Sequence, residues 1–155
     1  MLKSNDKLLE VSNIEEIQVN GFQTDDAQDY TLDMALMTGV NTIGLNSSSA
    51  TNDLTINNVP SIMTVNAKNG GGDLTVTYKA VPVAGAADSQ TVNVDGYTGT
   101  LSIAGVEYVT VNAGAVKSTL AALTTSKQLS LTLTGDTKTT ITGALTNTTA
   151  AVDGS

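Results

Sequence analysis

Leu101-Ser102-Ile103-Ala104-Gly105-Val106-Glu107-Tyr108-Val109-Thr110-Val111-Asn112 is the stretch from which the rest of the chain can be read. Apolar residues fall at its first, third, sixth, ninth and eleventh positions, and Asn closes it. Leu101 and Ile103 alternate with polar neighbours, as do Val109 and Val111, and a period of two marks a strand with one buried face. The step of three from Val106 to Val109 breaks that period. A bend there lets both short strands turn their apolar side chains inward.

The same spacing occurs at Leu9, Val11, Ile14, Ile17, Val19 and Asn20. With one residue added before the last pair, it occurs again at Leu54, Ile56, Val59, Ile62, Val65 and Asn66. Looser copies fill the gaps: Leu32 and Met34 lead to Val40, Ile43, Leu45 and Asn46, and Leu74 and Val76 lead to Val92, Val94 and Asp95. Leu129, Leu131 and Leu133, followed by Ile141, make a poor sixth. Starts spaced roughly 20 to 30 residues apart are the mark of stacked repeats. The insertions fall mainly in one slot, as they must if extra residues can only leave the stack as loops.

The expected fold is all-β, a parallel β-solenoid of about five to six rungs, with Ig-like β-sandwich modules as the alternative. Residues 1–8 are expected to lead in, 9–145 to form the repeat-built domain and 146–155 to be a tail, in which Asp153-Gly154-Ser155 reads as a cloning scar. Leu9, Val11, Leu54, Ile56, Leu101 and Ile103 should form one internal stripe, and Ile17, Ile62 and Val109 another. Helix is poorly supported: Val116, Leu120 and Leu123 share a helical face, but the segment is too short to stand alone. Asp25, Asp26 and Asp29 before Tyr30 could start one further turn.

Composition narrows the chemistry. The 155 residues include no Cys, His or Trp and a single Phe; 14% are charged and the net charge is −8. Without His or Cys, the commonest general base, the thiol nucleophile and the usual transition-metal ligands are missing. All seven basic residues are Lys, so no guanidinium can clamp a phosphate, and an acidic chain repels nucleic acid. The longest apolar stretch, around Ala80 to Ala87, is short and carries Pro82, so no membrane insertion is expected. Met1-Leu2-Lys3-Ser4-Asn5-Asp6 does not read as a secretory leader.

Two sets of residues invite a role. The Asn closing each copy, Asn20, Asn46, Asn66 and Asn112, would stack into an amide ladder that satisfies turn groups and tolerates left-handed dihedrals. Asn52-Asp53-Leu54-Thr55-Ile56 and Gly72-Asp73-Leu74-Thr75-Val76, the latter after Asn69-Gly70-Gly71, look like degenerate relatives of the glycine-and-aspartate nonapeptide that binds calcium in β-rolls. Asp53, Asp73, Asp95, Asn52 and Asn69 are thus the candidate Ca²⁺ ligands, with Asp136 and the group Asp25, Asp26, Asp29 and Asp33 as further oxygen donors. The competing reading is that Asp before a strand occupies a turn. Glu15 and Glu16 are strand neighbours and point apart, so they do not make an acid/base pair. No enzymatic activity is expected.

Leu101 to Asn112, Asn13-Ile14-Glu15-Glu16-Ile17-Gln18-Val19-Asn20 and Gly39-Val40-Asn41-Thr42-Ile43-Gly44-Leu45-Asn46 resemble the repeats of bacterial surface-layer (S-layer) proteins and of large calcium-binding surface proteins exported by type I secretion. The resemblance spans roughly residues 9 to 145. It implies a stacked-strand scaffold, a location outside the bacterial cell, calcium-supported self-assembly into a lattice, and contact with cell-surface polysaccharide. An adhesin or phage-fibre-like module, binding a surface glycan or protein through the loops 79–90 or 114–128, is the alternative.

Overall fold

Alternating Leu, Ile and Val with Thr and Asn gives short strands, and short corners carry the chain from one strand to the next. In the computed structural model, which describes residues 12–21, 29–143 and 145 and the backbone of 151–154, all regular structure is β-strand. The first coil holds β1 (Glu16–Gly21) and β2 (Tyr30–Asp33), and the second β3 (Thr42–Ser48) and β4 (Leu54–Val59). The third holds β5 (Thr64–Gly70) and β6 (Leu74–Tyr78), and the fourth β7 (Ser89–Asp95) and β8 (Thr100–Ile103). The fifth has three strands, β9 (Tyr108–Ala113), β10 (Ser118–Leu120) and β11 (Ala122–Thr125). A sixth begins with β12 (Ser130–Gly135) and β13 (Thr139–Ile141), and β14 (Ala151–Gly154) follows.

The coils stack. A seven-stranded sheet runs β1-β3-β5-β7-β9-β12-β14, a five-stranded sheet runs β11-β8-β6-β4-β2, and β10 pairs with β13. Every pairing is parallel. This is a parallel β-solenoid of about five turns, and among the described residues there is no antiparallel sheet of the kind an Ig-like sandwich needs. Coil length varies, with in-register partners 27, 19 and 22 residues apart in successive coils. The extra residues fall where the five-stranded sheet returns to the seven-stranded one, in 34–41 and 79–88.

Inside, like sits on like. Leu54, Leu74, Leu101 and Leu123 form one buried column, and Ile56, Val76 and Ile103 the next. From the facing sheet, Ile43, Val65, Val92 and Val111 form a third, beneath the half-buried Ile17. Burying each such side chain contributes about 1.5–3 kcal/mol, so the fold is held by whole columns.

Several expectations are corrected. Leu54 and Ile56 do stack over Leu101 and Ile103 across one intervening coil, whereas Leu9 and Val11 lie outside the described residues. Ile17, Ile62 and Val109 form no common stripe, because Val109 stacks between Gln90 and Leu131. The helical face at Val116 to Leu123 is replaced by β10 and β11. Leu123 docks under Leu101, and Leu120 is buried one corner earlier, so their spacing reflects a corner. The sixth copy accordingly starts at Leu123 and continues into β12, with Leu129 exposed before it. The seven-stranded sheet also runs on through β14, inside the segment expected to be a tail. Asp25 and Asp26 lie outside the described residues.

Candidate functional site

The outer face of the seven-stranded sheet carries the ordered polar side chains. Thr42 stands in register with Thr64, and Thr91, Thr110 and Thr132 stand one beside the next. Two residues along each strand, the column reads Gln18, Gly44, Asn66, Asn93, Asn112 and Thr134. Neighbouring strands are about 4.8 Å apart, a spacing that a primary amide can bridge.

That column forms a hydrogen-bonded ladder. Asn112 Nδ2 donates to Asn93 Oδ1 (3.1 Å), and Asn93 Nδ2 donates to Asn66 Oδ1 (2.9 Å). Thr134 Oγ1 donates to Asn112 Oδ1 (3.2 Å). At the other end Asn66 Nδ2 passes over Gly44 to Glu16 Oε1 (3.2 Å), which also accepts from Gln18 Nε2 (2.8 Å). All the donors point toward β1, and the chain of bonds ends on a carboxylate.

Two of the four expected ladder residues, Asn66 and Asn112, are in it. Asn20 is exposed, and Asn46 belongs to a different column with Lys68 and Asp95. Asn93 was missed. The ladder position is the Asn of Val65-Asn66-Ala67, Val92-Asn93-Val94 and Val111-Asn112-Ala113, flanked on both sides by inward residues. Leu45 aligns with Ala67 and not with Val65, which places Asn46 two residues beyond the ladder. The left-handed backbone also lies elsewhere, at Asn13, Ser47, Asn58 and Asn69. Asn93→Leu, which cuts the ladder at its centre, is expected to cost about 1–2 kcal/mol and lower the melting temperature by about 2–6 °C. Thr91→Ala beside it should change little; thermal denaturation followed by circular dichroism reads both.

The aspartates join coil to coil. Asp53 Oδ1 accepts from the Asp73 N–H (2.8 Å), and Asp73 Oδ1 accepts from the Thr100 N–H one coil further on (2.7 Å). Asp95 Oδ1 likewise accepts from the Val116 N–H (2.6 Å). Asn52 is fully buried and donates to the Gly21 carbonyl (2.8 Å), while Asn69 is exposed at the end of β5. The five residues therefore split: Asp53 and Asp73 share a corner column, Asp95 and Asn69 end neighbouring strands, and Asn52 faces inward. Among the described residues no three acidic groups are grouped so as to hold a metal ion.

Buried polar side chains fill the corners. The Tyr97 hydroxyl lies 2.8 Å from both the Gly72 and Thr100 carbonyls and donates to them, plugging the corner between coils three and four. Tyr78 donates to Gln90 Oε1, and Gln90 Nε2 donates to the Met63 and Thr91 carbonyls (2.7 Å each). Glu107 is buried, accepts from the Asp88 N–H (3.0 Å) and lies 3.7 Å from Lys127 Nζ. Lys127 in turn donates to the Val83 carbonyl (2.9 Å), which straps down the 79–88 loop.

Burial pushes both the Tyr78 and Tyr97 hydroxyls well above the ordinary tyrosine range, and at Tyr97 the charges of Asp73 and Asp53 add to it. A raised folded-state pKa contributes stability that is full below the unfolded value of about 10 and is lost as pH rises beyond it. The protein should therefore unfold in base more readily than its melting behaviour near neutrality suggests. In Tyr78→Phe/Tyr97→Phe the stability lost between pH 9 and pH 11 should shrink, although the neutral-pH stability falls; urea titrations at the two pH values measure both. No family model, curated protein or solved structure matches the chain.

Proposed function

We propose that this chain is a structural module of a bacterial S-layer or related secreted surface protein, which stacks, displays and self-assembles into an extracellular lattice. The observation that carries the reading is where the polar side chains are used. Asn66, Asn93, Asn112, Asp53, Asp73 and Asp95 each hydrogen-bond to a neighbouring coil, so the polar chemistry is committed to holding a regular stack. The outer columns of Thr and Asn repeat from coil to coil, a periodic surface suited to periodic contacts. The absence of Cys from the sequence suits a scaffold that needs no disulfides outside the cell.

Calcium support is part of the proposal, with Asp53 and Asp73 as the carboxylates that hard cations would neutralise. Each keeps one oxygen outside the inter-coil bond described above. Asn52, turned inward, is not among the ligands of this reading. Electron microscopy of the purified protein with and without Ca²⁺ tests it: sheets or ordered arrays that grow with Ca²⁺ are expected. Dispersed particles under both conditions would overturn the lattice, and an unchanged melting temperature on adding Ca²⁺ would overturn the calcium.

A second reading, an adhesin-like module, is favoured by the 79–88 loop. Its Val81 is 84% exposed and Ala84, Gly85, Ala86 and Ala87 are exposed beside it. Dispersed particles that bind components of a glycan array, and lose that binding when the loop is shortened, would favour it over the lattice.

A further inference from the structure

We infer that the outer face of the seven-stranded sheet holds a binding site for an uncharged sugar, centred on Tyr108. The site is independent of the lattice reading, and it moves the glycan contact of the second reading from the 79–88 loop to the sheet. Three observations carry it: an exposed aromatic ring, the hydroxyls around that ring, and the charge at its margins.

Val109 and Val111 are buried, so Tyr108 and Thr110 project from the outer face of β9. Tyr78 and Tyr97 are buried with their hydroxyls engaged and Tyr30 is half-buried, whereas Tyr108 is 41% exposed. Ser89 and Ser130 stand in register with it on the strands to either side, about 4.8 Å away. Two residues along each strand, roughly 6.6 Å, Thr91, Thr110 and Thr132 make a second row. Corner hydroxyls such as those of Ser48, Ser118 and Thr137 are used in hydrogen bonds between coils. Among the described residues, the hydroxyls of Ser89, Thr91, Thr110, Ser130 and Thr132 have no protein partner, so each keeps its donor and its acceptors.

A sugar ring fits this combination. Its face of C–H groups packs on an aromatic ring, and the hydroxyls on its rim exchange hydrogen bonds with groups that both donate and accept. The stiff χ1 of threonine holds the second row in place before a ligand arrives. Charge decides the class of sugar. None of the six residues is charged. Where the strands begin stand Asp88 and Glu107, the latter beside Lys127, and on the far side Asp153 is in register with Thr132. This margin is acidic on balance, so it repels uronic and other acidic sugars and favours a neutral glycan.

Affinity electrophoresis of the full chain tests this, with mannan, laminarin and dextran as neutral probes and alginate as the acidic one. At least one neutral probe should retard the protein, and alginate should not. Tyr108→Ala should weaken that binding roughly tenfold with the β-sheet circular dichroism unchanged. Thr110→Val, which removes one hydroxyl and keeps the shape, should weaken it about threefold. Tyr108→Phe, which keeps the ring, and Val81→Ser in the 79–88 loop should both retain it. No retardation by any of the three neutral probes overturns the site, as does binding indifferent to Tyr108→Ala. Binding lost in Val81→Ser but kept in Tyr108→Ala overturns it in favour of the loop. If the chain forms ordered arrays yet binds no neutral probe, the lattice reading stands and this site falls.

Discussion

Alanine at Gly72 is expected to destabilise the protein by about 3 kcal/mol or more and to lower its melting temperature by about 10 °C. Gly72 follows the seven-stranded sheet at the third corner, where its backbone presses on the coil before it. A Cβ there would lie 1.9 Å from the Asn52 carbonyl oxygen and 2.8 Å from its carbon. These are backbone atoms and cannot swing aside. Relief requires the coils to part, and that would strain the Asp53 to Asp73 hydrogen bond and the Tyr97 contact to the Gly72 carbonyl. Gly44 is in the same position within β3, where a Cβ would meet the Asn66 carbonyl oxygen at 2.0 Å. Gly21 is the control, since its Cβ would make only ordinary contacts of 3.4 Å with Ser48 and Tyr30. Gly21→Ala should stay within about 0.5 kcal/mol. Guanidinium titrations of the three variants measure the contrast, and equal losses at all three would contradict the close stacking of the corners.

Leu74→Ala should cost about 2–5 kcal/mol. Leu74 is fully buried between Leu54 and Leu101 in a column of four leucines in the five-stranded sheet. The coils on both sides are fixed by their own backbone pairing, so the column cannot collapse into the space left by the isobutyl group. Leu129, 49% exposed, shows the opposite case, and its alanine variant should be near neutral. The same denaturant titration compares them; a Leu74 variant as stable as the Leu129 variant would mean the interior is not packed in columns.

The columns were legible in the sequence because period-two alternation and the three-residue corner step survive from copy to copy. Leu54-Thr55-Ile56 and Leu101-Ser102-Ile103 needed no tertiary information to be matched. Other features depended on which residues neighbour which across coils. Asn46 and Asn66 look equivalent along the chain and are not, because only the pairing of Leu45 with Ala67 sets the register. In the fifth coil, β10 adds a third strand, and the corner between Leu120 and Leu123 imitates a helical spacing. The partners of Tyr97 could not be read along the chain: they are carbonyls of two different coils, at Gly72 and Thr100, that converge only once the chain has wound. The aspartates were found but their partners were not, since each one's acceptor role is defined by an N–H at least 20 residues away.

The central claim is that the chain is a stack of interchangeable coils, and the most direct measurement is to remove one. Excising residues 65–91, so that Val92 follows Thr64, deletes one 27-residue coil and leaves the register intact. Val92 would then take the place of Val65 against Ile43, Leu101 would sit against Leu54, and Asp53 would meet the Thr100 N–H as Asp73 does now. The shortened protein is predicted to melt cooperatively at a lower temperature, with the same β-sheet circular dichroism per residue. A shortened chain that is unfolded, while a single substitution within the same coil is tolerated, would contradict the account.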